Sequence, residues 1–271
     1  MTQFVQAGGV RIACDRQGAG PPLLLMHGAE ASRLMFAALM PYLAAHFTVI
    51  AYDQRDCGDS DGPAAGSTLA DLADDAQQLI ATLGGGRAHV FGSSFGGRVA
   101  QALALRHPQA VDRLMLGSTW PLPDAYEALC PDAPRLAALR RQLPATAEEL
   151  ATWFFPEDFL QQRPELRRVF ATARAESPRS ARRAATVQTT LEQDASDITA
   201  PTLLLAGELD RVVPCAITLG MTAQLPQAQR VRLAGVGHAT AMQAPARVAE
   251  QLTRFFTSND TAPVQPEEIR A

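Results

Sequence analysis

Lysine is absent from this chain: all 24 side chains counted as Lys plus Arg are arginine. That excludes a lysine nucleophile or Schiff base. Cysteine is scarce. Cys14, Cys57, Cys130 and Cys215 are scattered, with no C-x-x-C pair, so neither a disulfide framework nor a zinc pattern is expected. The histidines have no ligand spacing, and no metal or cofactor is expected. No apolar run approaches the length of a membrane span. The opening Met1-Thr2-Gln3-Phe4-Val5-Gln6 lacks a basic region leading into an apolar run. A signal peptide is therefore not expected, and a cytoplasmic location is. An excess of one charge is missing too. A net charge of −4 over 271 residues leaves no footprint for nucleic acid or a membrane surface. What is present is a chain 47% hydrophobic, long enough to bury one sizeable core.

The most informative segment is Gly92-Ser93-Ser94-Phe95-Gly96. It lies between an apolar run, Ala88 to Phe91, and a helical pattern starting at Phe95 or Gly96. This is G-x-S-x-G in a strand–turn–helix setting. A serine at such a turn must bend its backbone sharply to lift its hydroxyl above the sheet. Side chains two residues either side would collide. The spacing selects Ser94 over Ser93, which has no glycine two positions before it.

Two further residues follow at strand ends. Thr202 to Ala206 reads as a strand buried on both faces, bounded by Pro201 and Gly207, with Asp210 just beyond. Arg230 to Leu233 reads as a last strand running into Gly235-Val236-Gly237-His238. Asp210 alone could cap the helix near Pro214, and His238 alone could be a surface histidine. The ordered trio Ser94, Asp210, His238, each at a strand end, favours a catalytic triad. Upstream, Leu23-Leu24-Leu25-Met26-His27-Gly28 is an apolar strand ending in His-Gly. The loop after it and the residue after the serine are where backbone donors for an oxyanion belong, which selects the N–H groups of Ala29 and Phe95. His27 itself reads as a loop-orienting side chain.

Strands are expected near Phe4–Ala7 and Val10–Asp15, joined by a Gly8-Gly9 hairpin turn. Helices are expected over Leu34–His46 and Leu69–Leu83, the second amphipathic and ended by Gly84-Gly85-Gly86. Strands at Phe47–Tyr52 and Val111–Leu116 complete an alternation that implies a parallel sheet with right-handed crossovers. From about Thr119 to Ile198 the alternation stops. Eight prolines, from Pro121 to Pro178, cut this stretch into short helical pieces. The expected organisation is a core of residues 1–118 and 199–257, a helical cap at 119–198 and a frayed tail at 258–271.

The cap contains Arg140-Arg141, Arg167-Arg168 and Arg182-Arg183. They read either as a clamp for an anionic substrate or as solvated faces balanced by Glu148, Glu149 and Glu165; the matched charge favours the solvated reading. Trp120, Trp153 and Phe154, with Phe155 and Phe159, either line an apolar pocket or hold the cap down. Glu30, next to the oxyanion loop, is a further pocket candidate.

These motifs, together with Tyr52-Asp53-Gln54-Arg55 through Gly58-Asp59-Ser60, resemble the α/β-hydrolase superfamily over about Val10 to Phe256. Within it the chain is similar to small lactonase and esterase relatives typified by 3-oxoadipate enol-lactonases. Trp153 to Phe159 is similar to an aromatic stretch in their caps and in aminoacrylate hydrolase-like proteins. The resemblance implies a mostly parallel, eight-stranded sheet flanked by helices and carrying a helical cap. It implies a cofactor-free serine hydrolase that cleaves a small ester or lactone through an acyl-enzyme. A C–C bond or amide hydrolase and a non-catalytic receptor on the same fold are the rival readings.

Overall fold

The structure, a computed structural model, describes residues 2–29, 31–171 and 177–258. Eight strands form one sheet: β1 (Thr2–Ala7), β2 (Val10–Gln17), β3 (Pro22–Met26), β4 (Thr48–Tyr52), β5 (Ala88–Ser93), β6 (Val111–Gly117), β7 (Thr202–Gly207) and β8 (Gln229–Leu233). Their spatial order is β1-β2-β4-β3-β5-β6-β7-β8. The β1–β2 and β2–β4 pairs are antiparallel, and every pair from β4 to β8 is parallel.

Apolar residues run unbroken in the central strands because both faces are covered. Alternation then sorts them. In β3, Leu24 and Met26 join one cluster while Leu23 and Leu25 join the other. In β4, Ile50 and Tyr52 face one way and Val49 and Ala51 the other. On the first face lie α2 (Leu69–Leu83) and α3 (Phe95–Arg106), contributing Leu72, Leu79, Val99 and Leu103. On the second lie α1 (Met40–Leu43) and α11 (Pro245–Thr257), contributing Leu43, Val248, Leu252 and Phe255. Truncating one of these leucines to alanine costs about 2–5 kcal/mol in comparable cores.

The single helix expected over Leu34–His46 is instead a 3₁₀ turn, Arg33–Phe36, followed by the one-turn α1. Pro41 accounts for the break. It has no N–H, and its ring collides with the carbonyl four residues back, so it begins α1 rather than continuing an earlier helix.

Between β6 and β7 the described chain is helical: α4 (Tyr126–Leu129), α5 (Ala133–Arg141), α6 (Ala147–Phe154), α7 (Glu157–Gln162) and α8 (Pro178–Val187). After β7 come α9 (Cys215–Gly220) and, past β8, α10 (Thr240–Gln243). Proline lies in the first turn of α5 and α8, where its missing N–H costs nothing. The α6 helix is joined to the body by apolar side chains, burying Ala147, Leu150, Ala151 and Trp153. By contrast, α8 buries only Arg183 and Thr186. Among the described residues no helix is long and apolar enough to cross a membrane. Apart from Ser258, the tail expected at 258–271 lies outside the described residues.

Candidate active site

Ser94 occupies the step from β5 into α3, with φ 56° and ψ −123°. A side chain at positive φ is strained by a kcal/mol or so, and the neighbours must hold it there. They do so by hydrogen bonds: Ser94 N–H donates to Gly117 O at 2.8 Å, and Thr119 Oγ1 donates to Ser94 O at 2.7 Å. The flanking glycines are required by space. A Cβ on Gly92 would lie 2.3 Å from Gly96 O, and one on Gly96 would lie 2.2 Å from Met26 O. Ser93 is buried as the last residue of β5, whereas Ser94 is half-buried.

Asp210 lies past the end of β7 and His238 past the end of β8. His238 Nδ1 approaches the two Asp210 carboxylate oxygens at 3.0 and 2.9 Å. Asp210 Oδ1 also accepts the N–H groups of Val212 at 2.9 Å and Val213 at 2.8 Å. These backbone bonds orient a buried carboxylate before any substrate arrives. With Nδ1–H turned to Asp210, the other ring nitrogen, Nε2, is the one left for proton exchange. The Phe154 ring stands edge-on to His238, with centroids 5.3 Å apart at 80°. Ala239 N–H donates to Phe154 O at 3.2 Å, tying the end of α6 to the histidine loop.

The His27-Gly28-Ala29 loop lies against the serine: a Cβ placed on Gly28 would be 3.4 Å from Ser94 Cβ and 3.9 Å from Ser94 Oγ. Gln54 N–H donates to His27 Nε2 at 3.0 Å, and His27 Nδ1 is 2.7 Å from Gly28 O. An accepting Nε2 places the ring proton on Nδ1, so His27 donates to Gly28 O. This is the loop-orienting part expected of it. Phe95 is the first residue of α3, where the backbone N–H has no partner within the helix. Among the described residues, neither its N–H nor that of Ala29 bonds to a protein acceptor.

The other expected site residues divide. Glu30 lies outside the described residues. Trp120 is buried against Tyr126, with centroids 5.2 Å apart, and beside the Arg98 guanidinium, also at 5.2 Å. Trp153 is buried under the Arg211 guanidinium at 4.7 Å. Both tryptophans belong to the apolar cluster of the first sheet face. Of the three aromatics, Phe154 is the one in ring contact with His238. An open groove, which Asp210 helps to line, runs between Thr152, Pro156 and Glu157 on one side and Glu208, Leu209 and Arg211 on the other. Among the described residues no group of His, Cys, Asp and Glu side chains is arranged to hold a metal.

The turn after β4 links the parts. Asp53 accepts from Arg33 N–H at 2.7 Å and Asp59 N–H at 2.8 Å, and it pairs with the Arg33 guanidinium. Burial alone would lower the Arg33 pKa, but its bonds to Asp59, Asp53 and Asp15 raise it above the ordinary value. Arg55 pairs with Asp75 on α2 and donates to Gly8 O at 3.0 Å. Arg182 Nη2 donates to Asp56 at 2.6 Å. Arg183 donates from Nε to Ala29 O at 3.0 Å and from Nη2 to Gln54 Oε1 at 2.8 Å.

That last pair of contacts corrects the reading of Arg183 as part of a solvated face. Its residue is only 4% exposed, because a guanidinium keeps its charge inside when acceptors meet its fork. Arg167, paired with the exposed Glu157, fits the solvated reading. Gln54 had no sequence signal beyond its place in the turn after β4, but the burial of Arg183 carried one. Arg179, Arg182, Arg183 and Thr186 recur at i, i+3, i+4 and i+7, a polar stripe on one helix face. All four bond to core loops, through Gly58 O, Asp56, Ala29 O and Ser67 O among others.

A family model described as alpha/beta hydrolase fold matches residues 21–245. The chain is 30% identical over 273 residues to a 2-hydroxymuconate semialdehyde hydrolase from Pseudomonas sp. (strain CF600), covering 95% of this chain and 94% of that protein. It superposes on a thermophilic esterase from Thermogutta terrifontis with a TM-score of 0.80 at 26% identity, covering 94% of this chain and 98% of the other. The enol-lactonase from Burkholderia xenovorans LB400 gives a TM-score of 0.79 at 25% identity, covering 94% and 100%. With the family model spanning most of its length and hydrolases among its relatives, the chain belongs to the α/β hydrolase fold family and is a hydrolase.

Proposed function

We propose that this enzyme cleaves a small carboxylic ester or lactone through an acyl-enzyme on Ser94. The observation that carries the reading is the positive φ of Ser94 at the β5–α3 turn, maintained at the cost of backbone strain. His238 Nε2 takes the Ser94 proton as Oγ attacks the substrate carbonyl. Asp210 holds the Nδ1–H tautomer and stabilises the imidazolium. The carbonyl oxygen, now negative, is received by the N–H groups of Ala29 and Phe95; one such donor is typically worth about 3–4 kcal/mol of barrier. Collapse expels the alkoxide with a proton from His238. Water, deprotonated by His238, then attacks the acyl-enzyme, and the carboxylic acid leaves. No metal or cofactor is required by these steps.

The helical segment 119–198 serves as the cap in this reading, and Phe154 beside His238 is its best candidate for contact with the acyl group. Trp120, Trp153 and Glu30 are weaker pocket candidates. Incubation with p-nitrophenyl acetate, quenched early and read by intact mass, tests the reading. An acetyl adduct on the wild type, mapped to Ser94, is expected. Steady turnover with a metal-dependent rate and no adduct on Ser94 would overturn it.

The relationship to a 2-hydroxymuconate semialdehyde hydrolase favours a second reading, hydrolysis of a carbon–carbon bond beside a ketone. The same serine, histidine and oxyanion donors would serve. Rapid consumption of a coloured dienoate with slow ester turnover would select that reading.

A further inference from the structure

We propose that Arg183 is a positioning residue for the oxyanion donors, through which the helical segment aligns the N–H groups of Ala29 and Phe95. This rests on the oxyanion reading above and adds a residue to it. The warrant is geometric. Arg183 comes from α8, far from the sheet in sequence, yet one side chain meets both donor-bearing residues. Its Nε donates to Ala29 O at 3.0 Å, and its guanidinium carbon lies 4.8 Å from the centre of the Phe95 ring.

Its third contact extends the control. Arg183 Nη2 bonds Gln54 Oε1 at 2.8 Å, while Gln54 Nε2 donates to His27 O at 2.6 Å. Gln54 N–H also fixes the His27 tautomer, and His27 donates to Gly28 O. The carbonyls of His27, Gly28 and Ala29 are therefore all held, directly or through Gln54, by the cluster that ends on Arg183. In a trans peptide the N–H points opposite the C=O. Holding Gly28 O toward His27 leaves the Ala29 N–H on the opposite edge of the same peptide, pointing away from His27.

A substrate clamp is the competing use of a buried arginine. Here Nε and Nη2 are already given to protein acceptors, and the planar fork fits the pair it has. The neighbours Arg179 and Arg182 bond to the turn after β4 rather than to the oxyanion loop. They supply controls that loosen α8 without touching the donors.

The test compares an ester with its thionoester, whose C=S sulfur is a weaker hydrogen-bond acceptor and gains less from the two N–H groups. In Arg183→Ala we expect kcat on the ester to fall about 100-fold, the size of a lost oxyanion donor. KM should stay within a few-fold, the thionoester rate should fall much less, and millimolar guanidinium should restore part of the ester rate. Arg182→Ala should keep the wild-type ester-to-thionoester ratio. Equal losses on both substrates, or a raised KM with unchanged kcat, would overturn the proposal, the second by making Arg183 a substrate contact. If Arg183→Ala does not fold, Arg183→Lys is read on the same ratio, and a wild-type ratio there also overturns it. Ser94→Ala separates the two levels. Full ester turnover in that variant sinks the serine reading itself. An inactive Ser94→Ala beside an Arg183 variant of wild-type ratio sinks only the positioning.

Discussion

The sheet and the helical segment between β6 and β7 are built by different rules. Strand residues are placed by alternation and held by apolar burial on two faces, so a position at a strand end is fixed to within the turn that follows it. The segment is a chain of short helices attached in two ways. Its α6 end packs into the body with Leu150 and Trp153, and Phe154 meets His238. Its α8 end has no fully buried apolar side chain and is attached mainly through arginines and a threonine, with Val187 half-buried against the first face of the sheet. Strand ends are the place for reacting groups that must not move. Short helices are the place for contacts that can change without disturbing the strand ends.

That contrast yields a ranked set of expectations. The largest is on the sheet side. Ser94→Ala should lower kcat for p-nitrophenyl acetate by about 10⁶, as loss of a nucleophile does elsewhere. Ser93→Ala, one residue earlier and inside β5, should cost far less. A dead Ser93 variant beside an active Ser94 variant would break the assignment. Asp210→Asn should fold but lose about 10⁴ in kcat, because it favours the wrong imidazole tautomer. Near-normal turnover would move the acid elsewhere, the first candidate being Asp124, which lies between β6 and α4 at the start of the helical segment.

On the segment side the expected effects are smaller and of another kind. Phe154→Ala should shift kcat/KM between small and bulky acyl groups by about tenfold, while Ser94 still labels with a small fluorophosphonate. An unchanged ranking across an ester panel would remove Phe154 from the pocket. The smallest effect belongs to the sheet again, at the start of β5 and away from Ser94. His89 is buried in stacking contact with Phe256, centroids 4.7 Å apart, and burial lowers its pKa below the ordinary value, with Arg113 and Arg87 adding to this against Asp112. The unfolded chain therefore binds a proton near pH 6.5 that the folded chain refuses until lower pH. Stability is complete above that value and is lost as pH falls, by at most about 1.4 kcal/mol per pH unit. In thermal melts between about pH 7.5 and 5.5, His89→Phe should lose less Tm than the wild type does. Parallel losses would show that His89 does not contribute.

Much of the sheet could be read from the chain because its signals are local. The elbow glycines announce a close approach of backbones, and the unbroken leucines of β3 and β7 announce two covered faces. The pairing of Asp210 with His238 was legible only as order along the chain; the 2.9 Å contact is a product of the sheet bringing β7 beside β8. Leu34–His46 misled because its apolar spacing suits a helix while Pro41 forbids a continuous one. Arg183 misled for a different reason. Counting charges averages over helix faces, and a buried arginine is distinguished by which acceptors lie opposite it, a fact held by Ala29 and Gln54, far away in sequence.

The order of elements along the chain also sets an order in time. During synthesis β1 to β6 emerge first, with the Ser94 turn complete, and the whole helical segment must follow before β7 can pair with β6. Until then β6 is an open edge carrying Leu114, Met115 and Leu116, the kind of apolar strand edge that invites pairing with other chains. A nascent molecule thus holds the Ser94 turn while the Asp210–His238 pair is still unmade.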